Sequence, residues 1–165
     1  MPLDAPFRLG PFTVDTEGLL TPSGPDSFPS FRVRWQGRTV QARLTSPPAT
    51  LPGEGKLELQ ARLGRVPSTA DADPAQSLLR REHIFTELHD LASLLPAGWH
   101  LCLGPDHSIT LDRPHPLNLP TSAVQLVTEV TLFLLALGPY LELLDAAGVD
   151  PGASSKAGTA KTCPG

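Results

Sequence analysis

Phe31-Arg32-Val33-Arg34-Trp35-Gln36-Gly37-Arg38-Thr39-Val40-Gln41-Ala42-Arg43-Leu44 is the stretch that decides the fold. Apolar residues alternate with arginines from Phe31 to Trp35, the two-residue period of a strand with one wet face. Gln36-Gly37 then supplies the two positions of a tight hairpin turn. With that turn Trp35 faces Arg38, Val33 faces Val40 and Phe31 faces Ala42, so the apolar side chains of both strands fall on one side. Arg32, Arg34 and Arg43 fall on the other. The segment is read as an antiparallel hairpin with one face to cover.

Outward from it, Leu57 to Leu63 repeats the alternation as a third strand and adds Arg62 to the wet face. The intervening loop, Thr45 to Gly55, contains Pro-Pro and Pro-Gly-Glu-Gly. Upstream, Phe12-Thr13-Val14 and Leu19-Leu20-Thr21 flank the turn-forming Asp15-Thr16-Glu17-Gly18 and make a plausible hairpin. Downstream, Asp73-Pro74-Ala75-Gln76 is a helix start, with Asp73 as N-cap, Pro74 in the first position and Gln76 closing a capping box. That helix runs to about Leu95 and stops at Pro96-Ala97-Gly98. Leu78, Phe85, Leu88, Ala92 and Leu95, with Ile84 and Leu91 beside them, form its expected packing stripe. A second hairpin follows, pairing Leu103 with Ile109 and Leu101 with Leu111 around Gly104 to Ser108. Arg113 to Pro120 is read as an extended connection into the last helix, with Thr121 or Ser122 as N-cap.

That last helix, Thr121 to Leu144, is apolar nearly all round, with Glu129 and Glu142 its charged residues. Such a helix belongs in a core, on a partner or in a membrane. Gln125, Thr128, Glu129, Thr131 and Gly138-Pro139 interrupt any span of the roughly twenty apolar residues that a bilayer needs, so core or interface is preferred. Pro139 lacks a helical N–H and crowds the Leu135 carbonyl, so a kink or restart is expected near Gly138. Tyr140, Leu141 and Leu144 would then be presented at an angle. With Phe133 and Leu137, they are the candidate partner-binding residues.

The order of elements gives an α+β fold: an antiparallel sheet covered on one face by two helices, in the order ββ-ββ-β-α-ββ-α. The 165 residues, 40% hydrophobic, are read as a single domain over 1–150, followed by a disordered tail over 151–165. Thirteen basic and seventeen acidic residues give a net charge of -4, without the clustered positive charge that nucleic acid requires. Met1 to Pro6 has neither the basic nor the apolar region of a signal peptide, and the expectation is a cytoplasmic protein. Cys102 and Cys163 are not expected to form a useful bridge, which agrees with a reducing compartment.

Catalytic signals are weak. His83, Glu87 and Asp90 share a helix face, but the flanking Arg80 and Arg81 fit a solvated charged surface better than a metal centre. There is no Gly-x-Ser-x-Gly and no phosphate-binding loop. His100 and Cys102 lie two apart on one strand face, conceivable as an activated thiol, though an ordinary small residue is the simpler reading. Catalytic, cofactor and metal residues are therefore all assigned as none. The alternative is a small-molecule site or enzyme pocket between sheet and helices, lined by Trp35 and Trp99.

From Leu78 to Leu144 the pattern resembles the type III secretion chaperone-like fold, including its YbjN-type relatives. The likeness rests on Leu88, Leu91, Leu94 and Leu95 at a helix end, and on the short hairpin from Trp99-His100-Leu101 to Ile109-Thr110-Leu111. Pro116-Leu117-Asn118-Leu119 then leads into a helix with Phe133, Tyr140 and Leu144. The chain departs from that family by opening with strands instead of a helix. The resemblance implies a small cytoplasmic protein, often homodimeric, that holds another protein or a second copy of itself through apolar surface and needs no cofactor.

Overall fold

The computed structural model describes residues 5–23, 29–45, 53–67 and 74–151. Its strands are β1 (Phe7–Leu9), β2 (Phe12–Val14), β3 (Leu20–Pro22), β4 (Ser30–Trp35), β5 (Arg38–Thr45), β6 (Glu54–Arg65), β7 (His100–Leu103) and β8 (Ser108–Asn118). Helix α1 (Pro74–Leu94) lies between β6 and β7, and α2 (Ala123–Ala146) follows β8. The fold is α+β, with two antiparallel sheets in place of the one expected: β1-β2-β3, and β4-β5-β6-β8-β7. Asp73, read as the α1 N-cap, and all of the tail beyond Pro151 lie outside the described residues.

The β4–β5 turn is built as its sequence requires. Gln36 and Gly37 both have positive φ, 45° and 76°, the pattern of a type I′ turn that matches strand twist. In β5, Arg38, Val40, Ala42 and Leu44 are buried while Thr39, Gln41, Arg43 and Thr45 are half-buried. β6 shows the same alternation from Leu57 to Leu63 and is longer than its apolar pattern suggested. The β7–β8 register is the expected one, Leu103 with Ile109 and Leu101 with Leu111. Residues Arg113 to Asn118, expected as a connection, continue β8. Pairing with β7 stops at Asp112, so Pro114 and Pro116 fall where β8 has no β7 partner for an N–H.

Two compact units divide the chain. The first comprises Met1–Val33, Val40–Gln60 and Arg113–Leu137. Its β2–β3 hairpin is turned by Asp15, whose carboxylate accepts the Glu17 and Leu19 N–H groups at 2.9 and 2.8 Å. Phe12 meets Phe31 edge-on, ring centroids 6.4 Å apart. Buried Leu57, Leu59, Leu126, Val130 and Phe133 fill the remainder.

The second unit comprises Arg34–Thr39, Ala61–Asp112 and Gly138–Gly165. Its core includes Leu63, Ile84, Leu88, Leu91, Ile109, Leu111, Leu141 and Leu144. The α1 stripe is therefore narrower than expected: Ile84, Leu88 and Leu91 are buried, whereas Leu78, Phe85 and Ala92 are exposed. Arg81 explains Phe85, since its guanidinium stands 5.6 Å from the centre of that ring. Arg80 and Arg81 also do more than coat a wet face. Arg80 donates to the Gly148 carbonyl at 2.6 Å and Arg81 to the Pro67 carbonyl at 2.7 Å, fixing α1 to its neighbours.

Gly64 sits where β6 meets the segment after α2, bridged by Arg65 and Asp150. A Cβ there would lie 2.6 Å from Val149 Cγ1, with the Asp150 carbonyl crowding it as well. Gly64→Ala is expected to cost about 1–3 kcal/mol by forcing that segment away. Thermal unfolding measures it, against Gly138→Ala, where the added carbon meets only the end of the Gln36 side chain at 3.8 Å, an ordinary contact.

Candidate interaction surface

Helix α2 carries the clearest surface, and both of its ends are fixed by main-chain hydrogen bonds. At the start, Ser122 Oγ accepts the Gln125 N–H at 3.1 Å, confirming serine as the cap. Leu20 N–H donates to the Thr121 carbonyl and Ala123 N–H to that of Gly18, so the β2–β3 hairpin holds this end. At the finish, Gly148 adopts φ 77°, Val149 N–H donates to Leu144 O, and Gly148 N–H donates to Asp145 O. These are the two bonds of a Schellman cap.

Between its ends the helix is continuous, with Pro139 inside it. The expected break is absent for a physical reason. Proline deprives the Leu135 carbonyl of its helical donor, and Leu135 and Pro139 are both exposed, so water can serve that oxygen.

Continuity redistributes the candidate partner-binding residues. Phe133, Leu137 and Leu141 are fully buried and Leu144 is 1% exposed, so these four belong to the interior. Tyr140 is half-buried; its hydroxyl donates to the Leu94 carbonyl at 3.4 Å and its ring lies tilted on Trp99 at 5.9 Å. The apolar residues that do meet solvent are Val124 (77% exposed), Leu135 (60%), Val127, Leu132 and Leu143. They lie on the outward side of α2 among Thr128, Thr131, Ala136 and Pro139, with Glu142 and Asp145 as charged members. The sequence carried part of this distinction, since Gln125, Thr128, Thr131 and Glu142 fall on the outward side and the inward side is apolar throughout. Helix α1 adds Leu78, Leu79 and Leu94, each more than half exposed.

Polar groups elsewhere serve the fold. Arg38, 4% exposed, donates through Nε to the Leu63 carbonyl at 2.9 Å and through Nη1 to Gln36 O at 3.4 Å, and its guanidinium pairs with Asp145. Glu129 on α2 receives both Arg113, at 3.7 Å, and His115, at 3.3 Å, from β8. His83 and Glu87 stand 3.9 Å apart on exposed α1. Cys102 is disulfide-bonded, against the expectation that it and Cys163 make no bridge, and the expectation of a reducing compartment falls with it; its Sγ lies 3.8 Å from Asp112 Oδ2. Cys163 lies outside the described residues. On the sheet's wet face Arg62 lies 3.7 Å from Asp106, and Glu58 is paired with Lys56 at 3.0 Å.

Comparison of the chain with known protein-family models, curated proteins and solved structures gave no significant match. By length and composition alone, α2 would pass as a membrane-crossing helix. Its inner side is nonetheless packed, with Phe133, Leu137 and Leu141 fully buried.

The β7–β8 turn carries an acid whose pKa is lowered, Asp106. The Ser108 hydroxyl donates to Asp106 at 2.5 Å and holds its carboxyl below the usual range. Partial burial opposes this, while the Ser108 N–H and Arg62 add to it. A lowered folded pKa means stability that is present above the unfolded pKa and lost as pH falls through the folded one. Ser108→Ala is therefore expected to be destabilising at neutral pH, by an amount that shrinks once the solution falls below about pH 4. Thermal melts across pH 2–7 read the difference, and carboxyl NMR reads the rise of the Asp106 pKa in the variant.

Proposed function

We propose that this protein is a non-enzymatic protein-binding module of chaperone-like or adaptor type. It holds apolar segments of another protein, or of a second copy of itself, through helix surface. The observation that carries the reading is the set of large apolar side chains that α1 and α2 leave in water: Leu78, Leu79 and Leu94 on one, Val124, Val127, Leu132, Leu135 and Leu143 on the other. Single exposed leucines are ordinary, but runs of them along a well-anchored helix are what binding surfaces present. Both helices keep a buried stripe as well, so the exposed residues are surplus to the core.

The chaperone-like resemblance of Leu78 to Leu144 supports the same reading, as does the placement of the polar groups. Arg38, Glu129 and Asp106 are engaged in pairs that brace elements, and the Cys102 sulfur is committed to a disulfide. A protein of this kind needs no cofactor and no nucleic acid.

Light scattering of a chemically denatured client protein, diluted with and without the module, tests the proposal. The intact protein is expected to suppress client aggregation near stoichiometric ratios. Serine at Leu79 and Leu94, or at Val127 and Leu135, should weaken that protection severalfold while the melting temperature stays within a few degrees, since these side chains contribute little to the core. Unprotected client with the intact protein, or full protection by both variants, would overturn the reading.

A further inference from the structure

Cys102 is the third residue of β7, half-buried, and its sulfur is in a disulfide. β7 is the last strand of its sheet, paired with β8 on one side and with no further strand among the described residues on the other. An edge of that kind presents main-chain N–H and C=O groups to any extended chain within reach. The sequence holds one other cysteine, Cys163, twelve residues beyond Pro151. A disulfide sets its two Cα atoms about 4.4–6.8 Å apart, so the segment that carries the partner sulfur passes directly beside β7.

The C-terminal segment also starts from the right place. The Asp150 carbonyl accepts the Arg65 N–H at 3.0 Å. The Arg65 guanidinium in turn donates to the Asp106 carbonyl in the β7–β8 turn, through Nη2 at 2.8 Å and Nε at 3.2 Å. Beside it, Val66 N–H donates to the His107 carbonyl at 3.0 Å. Asp150 is thereby held one arginine side chain from that turn. Asp106 lies four residues after Cys102, which is at most ~14 Å of chain. Thirteen residues lead from Asp150 to Cys163, with a reach of up to ~43–47 Å. The segment can return to Cys102 without pulling on the cap of α2. All of these residues belong to the second compact unit.

We propose that Cys102 is joined to Cys163 of the same chain, and that this bond straps residues 152–165 over the open edge of β7 until a dithiol releases them. The inference goes beyond the protein-binding reading and does not depend on it. Release is thiol–disulfide exchange. One thiolate of the reductant attacks a sulfur of the bridge, the S–S bond breaks, and a mixed disulfide forms. The second thiolate then displaces the protein sulfur. Two electrons and two protons pass to the protein, which gains two thiols, and the reductant leaves as a disulfide. The strap is closed in an oxidising compartment and opens in a reducing one, where the edge of β7 is uncovered.

The full chain, equilibrated in a buffer of reduced and oxidised glutathione, provides the test. Mass spectrometry of an unreduced digest is expected to find the peptides of Cys102 and Cys163 joined, in a protein that runs as a monomer on a non-reducing gel. Hydrogen exchange before and after dithiothreitol should show the amides of His100 to Leu103 exchanging severalfold faster once reduced, with Leu57 to Leu63 of β6 unchanged. Cys163→Ser, placed beyond the described residues, should match the reduced protein with or without dithiothreitol. Both should melt about 3–6 °C lower, because the bond closes a loop of some sixty residues in the unfolded chain. Two free thiols after equilibration, or Cys102 linked to a second copy, would overturn the proposal. So would exchange in β7 that is indifferent to both reduction and Cys163→Ser.

Discussion

The ends of helix α2 are the constraint from which the surface follows. A helix leaves donors without partners at its start and acceptors without partners at its end, and these must be satisfied wherever water is scarce. Here the start is satisfied by Ser122 and tied to the β2–β3 hairpin, and the end is closed by the Gly148 Schellman turn. With both ends held, the rotation of the helix about its own axis is fixed, and so is the choice of residues that face out. Phe133, Leu137, Leu141 and Leu144 go inward; Leu132, Leu135 and Leu143 remain in water. Composition points the same way, since Leu126, Val130, Phe133, Leu134, Leu137, Leu141 and Leu144 make a wholly apolar inner face while Gln125, Thr128, Thr131 and Glu142 stay outside.

Charged groups inside the fold reinforce this. Arg38 sits in β5 among Val40, Ala42 and Leu44, and its guanidinium is satisfied by two carbonyls and by Asp145 from the last turn of α2. A buried cation without partners would be strongly destabilising, so the helix end must stay where Asp145 can reach it. Glu129, taking Arg113 and His115 of β8, plays a comparable part near the other end of the helix. Such pairs contribute less to net stability than to uniqueness of placement.

The sheet was largely legible because its signals are local. The alternation of β4 and β5, the Gln36-Gly37 turn and the β7–β8 register follow from period and turn chemistry. What escaped was set by tertiary context. The Phe12-Thr13-Val14 hairpin gains a third strand, Phe7–Leu9, and stands as a sheet of its own. Phe85 reads as core but is covered from outside by Arg81. Pro139 reads as a break, yet its missing donor falls on the side where solvent replaces it. The candidate residues of α2 divide by burial, with Phe133, Leu137, Leu141 and Leu144 inside and Tyr140 half-buried, in a helix that runs on past Pro139. Cys102 could not be judged from spacing, because a disulfide leaves no local pattern in the sequence.

β4 ends its sheet on one side, and an edge strand offers unpaired main-chain groups to any extended chain that reaches it. Arg32 and Arg34 are exposed at alternate positions along that edge. A second β4 approaching in register would set guanidinium beside guanidinium with little between them to offset the repulsion. The same alternation that marks the strand in the sequence therefore acts as a gatekeeper against sheet-to-sheet growth and fibre formation.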